Sequence, residues 1–301
     1  MMKKILPYSL LIIFLSCKGQ EMKNTYYTWD DFVANFGKKM VSAEDLYNSM
    51  KNIGLTDFEL AEFDYHFLSD SKEKLEKLND FLLQHYPYKF EEYKRWEGDF
   101  ELRGKTNAIP ITKDNLLCWV LDMTKRGYEF DCRFDAFGAL TDNKNPKLPN
   151  FDKTKEDFYF DKAVECYNSG NLSGAIFNWS IVLRINPKDP NSYYSQAIVK
   201  NELYIWKSAL RDYDKAIEIA PNFVDAIINR GTVKDENGDY EGAIIDYNKV
   251  IELQPDNAMV YFNRGNSKLN KGDKKGACED WKKAKELGAD YTDDRINENC
   301  K

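Results

Sequence analysis

Residues able to do chemistry are few in this chain of 301. There are two histidines, His66 and His85, and six cysteines scattered without the paired spacing of a zinc site. His66 lies two residues after Asp64, and in an extended segment that puts both on one face, where a surface polar pair is the expected reading rather than a general base. His85 falls at the end of an expected helix, a place that suits a cation because of the backbone dipole. Cys118 and Cys132 sit on an expected helix and strand; buried packing is the default for such thiols, and a bridge between them stays open. Cys278 and Cys300 form a second pair that could pin the C-terminal segment. Asp290-Tyr-Thr-Asp-Asp lacks the glycine and closing glutamate of a calcium loop, and the chain has neither a glycine-rich phosphate loop nor a nucleophile elbow. The residues therefore predict a binder and not an enzyme, with no cofactor, no metal and no small-molecule substrate.

Cys17 is the exception. Lys3 and Lys4 precede an apolar run from Ile5 to Leu15, too short to span a bilayer as a helix, and the run ends in Phe14-Leu15-Ser16-Cys17 followed by the polar Lys18-Gly19-Gln20. This layout resembles the lipobox of bacterial lipoproteins, with Phe14 where leucine or valine is usual. The resemblance implies removal of residues 1–16, acylation of Cys17, and a protein anchored in the bacterial cell envelope on its periplasmic or surface face. A cytoplasmic location would require that the signal go unused.

The elements that would carry any site divide the chain. Pro187, Pro221 and Pro255 recur every 34 residues, each closing a short apolar stretch. Ala175, Ala209, Ala243 and Ala277 keep the same register, each followed four residues on by Trp179, Tyr213, Tyr247 or Trp281, which is one apolar face at helical spacing. Gly170, Gly238 and Gly272 recur at the inter-helix turn, where the second unit has Tyr204, so a tighter-packed or irregular turn is expected there. Gly231 and Gly265 mark close helix approaches. This 34-residue unit resembles the tetratricopeptide repeat over about 156–289. The implied units are 156–189, 190–223, 224–257 and 258–291, with a short capping helix to residue 301 that covers the last repeat.

In that family the first helices line a groove that holds a protein or peptide. By register the groove would draw on Phe160, Val164 and Tyr167; on Tyr194, Ile198 and Asn201; on Ile228, Asn229 and Thr232; and on Phe262, Asn263 and Asn266. It would be apolar and rich in amides. Cationic pairs that some members use to grip a C-terminal carboxylate are replaced here by Phe160, Val164, Tyr194, Ile198, Ile228 and Thr232, which argues against a chaperone-tail clamp.

Residues 42–142 differ in texture, dense in aromatics and without a period, after a tether and extension at 17–41. Asn143 to Asn150, with Pro146 and Pro149, begins a linker expected over 143–155. Ser42 predicts a helix N-cap with the helix running to Met50, and Phe63-Asp-Tyr-His-Phe-Leu predicts a strand. Ser69 or Ser71 would cap a helix striped by Leu75, Leu78, Leu82 and Leu83. Tyr86 to Trp96 and Phe100 to Ile111 predict a strand pair, Asp114 to Arg126 a helix stopped by Gly127, and Tyr128 to Asp135 a last strand. The order β-α-β-β-α-β is that of a ferredoxin-like domain, so the expected class is α+β: a ferredoxin-like domain followed by an all-α solenoid.

That order, with Leu46 to Gly54, Phe63-Asp-Tyr-His-Phe, Asp122-Met-Thr-Lys-Arg-Gly-Tyr-Glu-Phe-Asp and Phe137-Gly138, resembles the ribonuclease E inhibitor (RraB) family over about Asp45 to Gly138. The family's long acidic tail is absent here. The resemblance implies a regulator that binds a ribonuclease without chemistry of its own, which competes with the envelope reading, since an exported protein would not meet a cytoplasmic nuclease. An immunity-type lipoprotein that binds a toxin is a third expectation.

Charge narrows the partners. The chain carries a formal −7, and loss of Lys3 and Lys4 with their acid-free segment makes it −9. Direct nucleic-acid binding needs a basic face and is not expected. The expected partners are a protein or peptide in the groove and a membrane through the Cys17 anchor.

Overall fold

A computed structural model of the chain describes residues 24–96, 98–140 and 147–300. The expected signal segment and Cys17 lie outside the described residues. The chain forms two compact units, one ending at Pro187 and one running from Lys188. The division thus falls one helical repeat later than the linker expected at 143–155.

In the first unit, α1 (Trp29–Asn52) starts well before the cap expected at Ser42. Thr28 caps the helix, and its Oγ1 and the Asp31 carboxylate satisfy each other's backbone N–H groups, which is a complete capping box. Ser42 instead lies mid-helix, its hydroxyl donating back to the Lys38 carbonyl at 2.9 Å. Next comes β1 (Leu60–Ser69), whose alternation buries Phe63, Tyr65 and Phe67 and leaves Asp64 and His66 partly exposed. There follow α2 (Lys72–His85), β2 (Lys89–Trp96), β3 (Asp99–Lys105), the two-residue β4 (Ile109–Pro110), α3 (Lys113–Glu129) and β5 (Arg133–Leu140). All strand pairings are antiparallel: β2 with β3, β3 with β1, and β1 with both β4 and β5. One core gathers Phe63, Phe67, Leu75, Leu78, Trp119 and Phe134.

Two expectations fail around Gly127. The helix does not stop there but runs to Glu129, and the last strand starts at Arg133 rather than Tyr128. Gly127 serves close approach: a Cβ on it would lie 2.6 Å from the Cys132 carbonyl. The reversal is made by Asp131, whose φ of 54° is in the left-handed region that aspartate tolerates better than most residues. Cys118 and Cys132 are both buried and not bridged to each other, and burial pushes the Cys132 thiol up to about 12.

The first unit closes with α4 (Glu156–Asn168) and α5 (Leu172–Ile185). Phe177 of α5 joins the core of the α/β part. The second unit holds α6 (Pro190–Glu202), α7 (Trp206–Ile219), α8 (Val224–Glu236), α9 (Tyr240–Leu253), α10 (Ala258–Asn270), α11 (Lys274–Glu286) and α12 (Asp293–Asn299). The turn at Tyr204 is regular rather than irregular. Tyr204 takes φ 59°, as Gly170, Gly238 and Gly272 take positive φ, and the same three backbone bonds close all four turns. A disulfide joins Cys278 of α11 to Cys300 just past α12, with Cα atoms 5.6 Å apart. Among the described residues, no helix is long and apolar enough to cross a membrane.

Candidate binding groove of the helical repeats

In the second unit, proline at the start of α6 and asparagine or aspartate caps at Asp189, Asp239, Asn257 and Asp273 fix where the helices begin. The first helices of its three pairs, α6, α8 and α10, then carry nine of the side chains expected to line a groove. They divide by burial. Ile228 is fully buried beside Ala243 and Tyr247, so it packs between helices and presents nothing to a ligand. Tyr194 is also buried, its ring 4.9 Å from Phe223 and 6.1 Å from Tyr213, and its hydroxyl accepts from Asn229 Nδ2 at 3.1 Å.

Ile198, Asn201, Thr232, Phe262, Asn263 and Asn266 keep part of their surface. Several are already oriented by a second-helix partner. Asn266 Oδ1 accepts from Trp281 Nε1 at 3.2 Å, and the Thr232 hydroxyl meets Tyr247 Oη at 3.2 Å. Phe262 meets Tyr291 edge-on at 5.1 Å. Asn201 Oδ1 and Asn229 Oδ1 are buried with no hydrogen-bond partner among the described residues. An amide so placed can change orientation or take a donor from a bound chain.

Glycine permits the helix pairs to close. A Cβ at Gly231 would come 2.9 Å from the Tyr247 ring, and one at Gly265 would come 2.6 Å from Trp281 Nε1. Beside these crossings is a charge pattern that the sequence reading missed. Asp246 receives Arg230 at 2.5 Å and Lys234 at 2.8 Å; Asp280 receives Arg264 at 2.6 Å and Lys268 at 2.8 Å; Asp212 receives Lys200 at 2.7 Å. Arg230 Nη1 also reaches Asp214 of α7, and Arg264 Nη1 reaches Asn248 of α9, each bonding back to the preceding pair. Burial would lower the Arg230 pKa, but Asp246 and Asp214 outweigh it and hold the guanidinium charged. The signal was available: Lys200, Lys234 and Lys268, like Asp212, Asp246 and Asp280, keep the 34-residue period.

Unit one's repeat is different. Phe160 is buried, Tyr167 nearly so with its ring 6.4 Å from Trp179, and Val164 is half-buried. At the ion-cluster positions it has Cys166 and Asn178, which lie 3.9 Å apart. The turn from α4 to α5 is seated on α2 and α3: Arg126 Nη2 donates to the Gly170 carbonyl at 2.6 Å, and Asn171 Nδ2 donates to the His85 carbonyl at 3.0 Å.

The two histidines do not build a catalytic pair. His66 Nδ1 lies 2.8 Å from Glu101 Oε1, while Asp64 faces Lys105 at 3.8 Å. The His85 ring meets the Phe81 ring at a tilt, with centroids 4.5 Å apart. Among the described residues, no group of three histidine, cysteine or carboxylate side chains could hold a metal ion.

Two family descriptions match the chain, "TPR repeat" over residues 236–272 and "Tetratricopeptide repeat" over 212–245, so tetratricopeptide repeats are present in the C-terminal half. The chain is similar to the Hsp70-Hsp90 organizing protein of Triticum aestivum, 28% identical over 119 residues, and to Hsp70-Hsp90 organizing protein 1 of Glycine max, 29% identical over 119 residues. Those stretches are 34% of this chain, and it spans only about a fifth of either relative, 20% and 21%. Among solved structures it is similar to MamA, at 22% identity and TM-score 0.44 over 45% of this chain and 80% of that one. It is also similar to pilF of Pseudomonas aeruginosa, at 23% identity and TM-score 0.41 over 45% and 62%.

Proposed function

We propose that this protein is a non-catalytic interaction protein of the bacterial envelope that docks a protein or peptide along the first helices of its second unit and is anchored by acylated Cys17. The observation that carries the docking site is the row of partly exposed Ile198, Asn201, Thr232, Phe262, Asn263 and Asn266, repeated by register on α6, α8 and α10. Apolar and amide side chains in such a row suit an extended chain, supplying van der Waals contact and partners for its backbone groups. The tetratricopeptide match over 212–272 supports a protein-binding role. Since Tyr194 and Ile198 stand where a carboxylate clamp needs cations, the role named for the organizing proteins is not carried over. The Cys278–Cys300 bridge supports an oxidising compartment, where disulfides persist.

The test is a comparison of captured partners for the wild type, Phe262→Ala and Asn263→Ala, with Lys249→Ala, an exposed residue of α9 outside the row, as a control. Loss of the same partner from both surface variants is the expected result; unchanged partners would defeat docking there. Cys17→Ala followed by membrane fractionation tests the anchor, and unchanged membrane retention would remove it.

A second reading rests on the first unit. Its four longer strands lie in the order β5-β1-β3-β2, with β1 and β3 in the middle and every neighbour antiparallel, which supports a ferredoxin-like assignment and with it the resemblance to the ribonuclease E inhibitors. Adding the purified protein to that nuclease should slow RNA cleavage on this reading, and an unchanged rate rejects it.

A further inference from the structure

Away from the repeats, the first unit has a pocket of about 420 Å³ between the middle of α1 and the start of β5. Three cations line it, Lys38 and Lys39 from one helical turn and Arg133 from the strand, against one carboxylate, Asp135. In a chain of net charge −7, this is a local surplus of positive charge. Asn35 and Ser42, one turn on either side of the lysines, add neutral polar groups.

The pocket's internal bonds leave the cations under-used. Lys39 Nζ donates to the Asp135 main-chain carbonyl at 2.5 Å and lies over the Phe134 and Phe137 rings at 5.1 and 5.7 Å, so it has no carboxylate partner of its own in the ion pairs observed. Arg133 Nη2 reaches Asp135 Oδ1 only at 3.4 Å, and Arg133 Nε is buried with no hydrogen-bond partner among the described residues. Burial pulls the Lys39 ammonium below its usual range, Asp135 opposes this, and Arg133 adds to it. An anion between the helix and the strand would offset the positive charge that Lys38, Lys39 and Arg133 bring together there.

We propose that this pocket binds an oxyanion of the phosphate class. The net lining charge matches a dianion. A tetrahedral group with several acceptor oxygens uses the outer Arg133 guanidinium nitrogens, the two lysine ammoniums and the Asn35 amide together, whereas a planar carboxylate has fewer oxygens to offer. The source is either free phosphate or the phosphomonoester headgroup of a lipid.

Titration calorimetry on the full chain with inorganic phosphate, at fixed ionic strength, tests the site. Saturable binding is expected, weakened about tenfold by Arg133→Gln and by Lys38→Gln, and tightened by Asp135→Asn, which removes the competing carboxylate. Circular dichroism confirms that each variant is folded. Flotation with phosphatidic acid vesicles, set against phosphatidylcholine vesicles, separates the sources: retention on the former alone that Arg133→Gln abolishes assigns the site to a lipid headgroup. Absence of saturable binding to either source, variants that bind as wild type does, or acetate binding as tightly as phosphate overturns the proposal.

Discussion

The backbone N–H of Ser173, in the first turn of α5, donates at 2.9 Å to the carboxylate of Asp122, which is wholly buried in the middle of α3. A helix N-terminus has N–H groups with no partner inside the helix. Asn171 supplies one acceptor, to Gly174, and Asp122 supplies another from a different element. Tyr86 Oη donates to the same carboxylate at 3.0 Å, and Arg126 Nε lies 3.3 Å from its other oxygen. The first helical repeat is thereby part of the α/β core.

Removal of Asp122 should therefore be severe. Asp122→Ala leaves the Ser173 amide and the Tyr86 hydroxyl without this acceptor, while Arg126 keeps Glu129 at 2.6 Å, and each buried polar group left unpaired costs about 1–3 kcal/mol. Asp122→Asn keeps an acceptor and should lose less. Urea denaturation of the full chain measures both, and a loss for the alanine variant below about 1 kcal/mol would show that the network contributes little.

Cutting the chain gives a second expectation. A fragment of residues 24–187 retains Phe177 in the core and the Ser180 hydroxyl on Asn115 Oδ1 at 2.8 Å, so it should unfold cooperatively. A fragment of 24–155, cut at the linker read from the sequence, uncovers that face of α3 and should be less stable or aggregate. Equal midpoints in thermal melts of the two fragments would contradict this.

Why the two compact units divide one repeat later than the linker read from the sequence is a matter of what periodicity reports. The 34-residue repeat announces the α4–α5 pair through Ala175 and Trp179, because those residues pack within the pair and helical spacing encodes that contact. The seating on α3 depends on Asp122, Arg126 and Tyr86, residues distant in sequence and of three types, with no period to reveal them. Ser42 misled for a related reason: a serine after a polar stretch looks like a cap, but the same hydroxyl can bond back to Lys38 inside a helix. In the groove, register assigned each residue to a helix yet gave no depth, so buried Ile228 and partly exposed Ile198 looked equivalent.

Asp131 makes an acid-sensitive tie. Its carboxylate accepts from the backbone N–H groups of Thr25, Tyr26 and Tyr27 and from Lys74 Nζ at 2.7 Å, holding the segment before α1 against the α3–β5 turn. Burial pushes the carboxyl pKa up, but Lys74 and the three amides outweigh it and hold it below its usual value. A pKa depressed on folding gives stability that is present above the unfolded value, near 4, and lost as pH falls through the folded value. Asp131→Asn, which suits the left-handed backbone, should flatten the stability profile below about pH 4. Unfolding midpoints at a series of acid pH values check this, and parallel wild-type and variant curves would refute it.

The repeated ion clusters predict a contrast within one helix pair, α8 and α9. Asp246→Ala leaves Arg230 and Lys234 without their buried counter-ion, and should cost about 3–5 kcal/mol in the second unit. Nearby, Gly231→Ala drives a methyl against the Tyr247 ring and should cost about 1–3 kcal/mol. Lys249→Ala, removing an exposed contact with Glu252 at 3.6 Å, should stay within about 0.5 kcal/mol. Denaturant titrations that fail to rank the three in this order would show that the clusters are not what binds each helix pair together.

The Cys278–Cys300 bridge should act on one short element. None of the seven residues of α12 is buried, and its Lys285–Asp293 contact at 2.5 Å is an exposed pair of the kind that contributes little. Without the cross-link, α12 therefore has almost no apolar burial to offset the entropy of ordering it. Hydrogen exchange on a Cys300→Ser variant should show protection lost over 293–300, while α10 and α11 keep theirs through buried Val260, Ala277 and Trp281. Tyr291, which meets Phe262 edge-on, lies between the two regions, so Phe262 should also gain exposure if the capping segment leaves with α12. Retained protection in α12 of the variant would mean that noncovalent contacts suffice, and a collapse that spreads through α11 would mean that the bridge supports the whole terminal repeat rather than its cap.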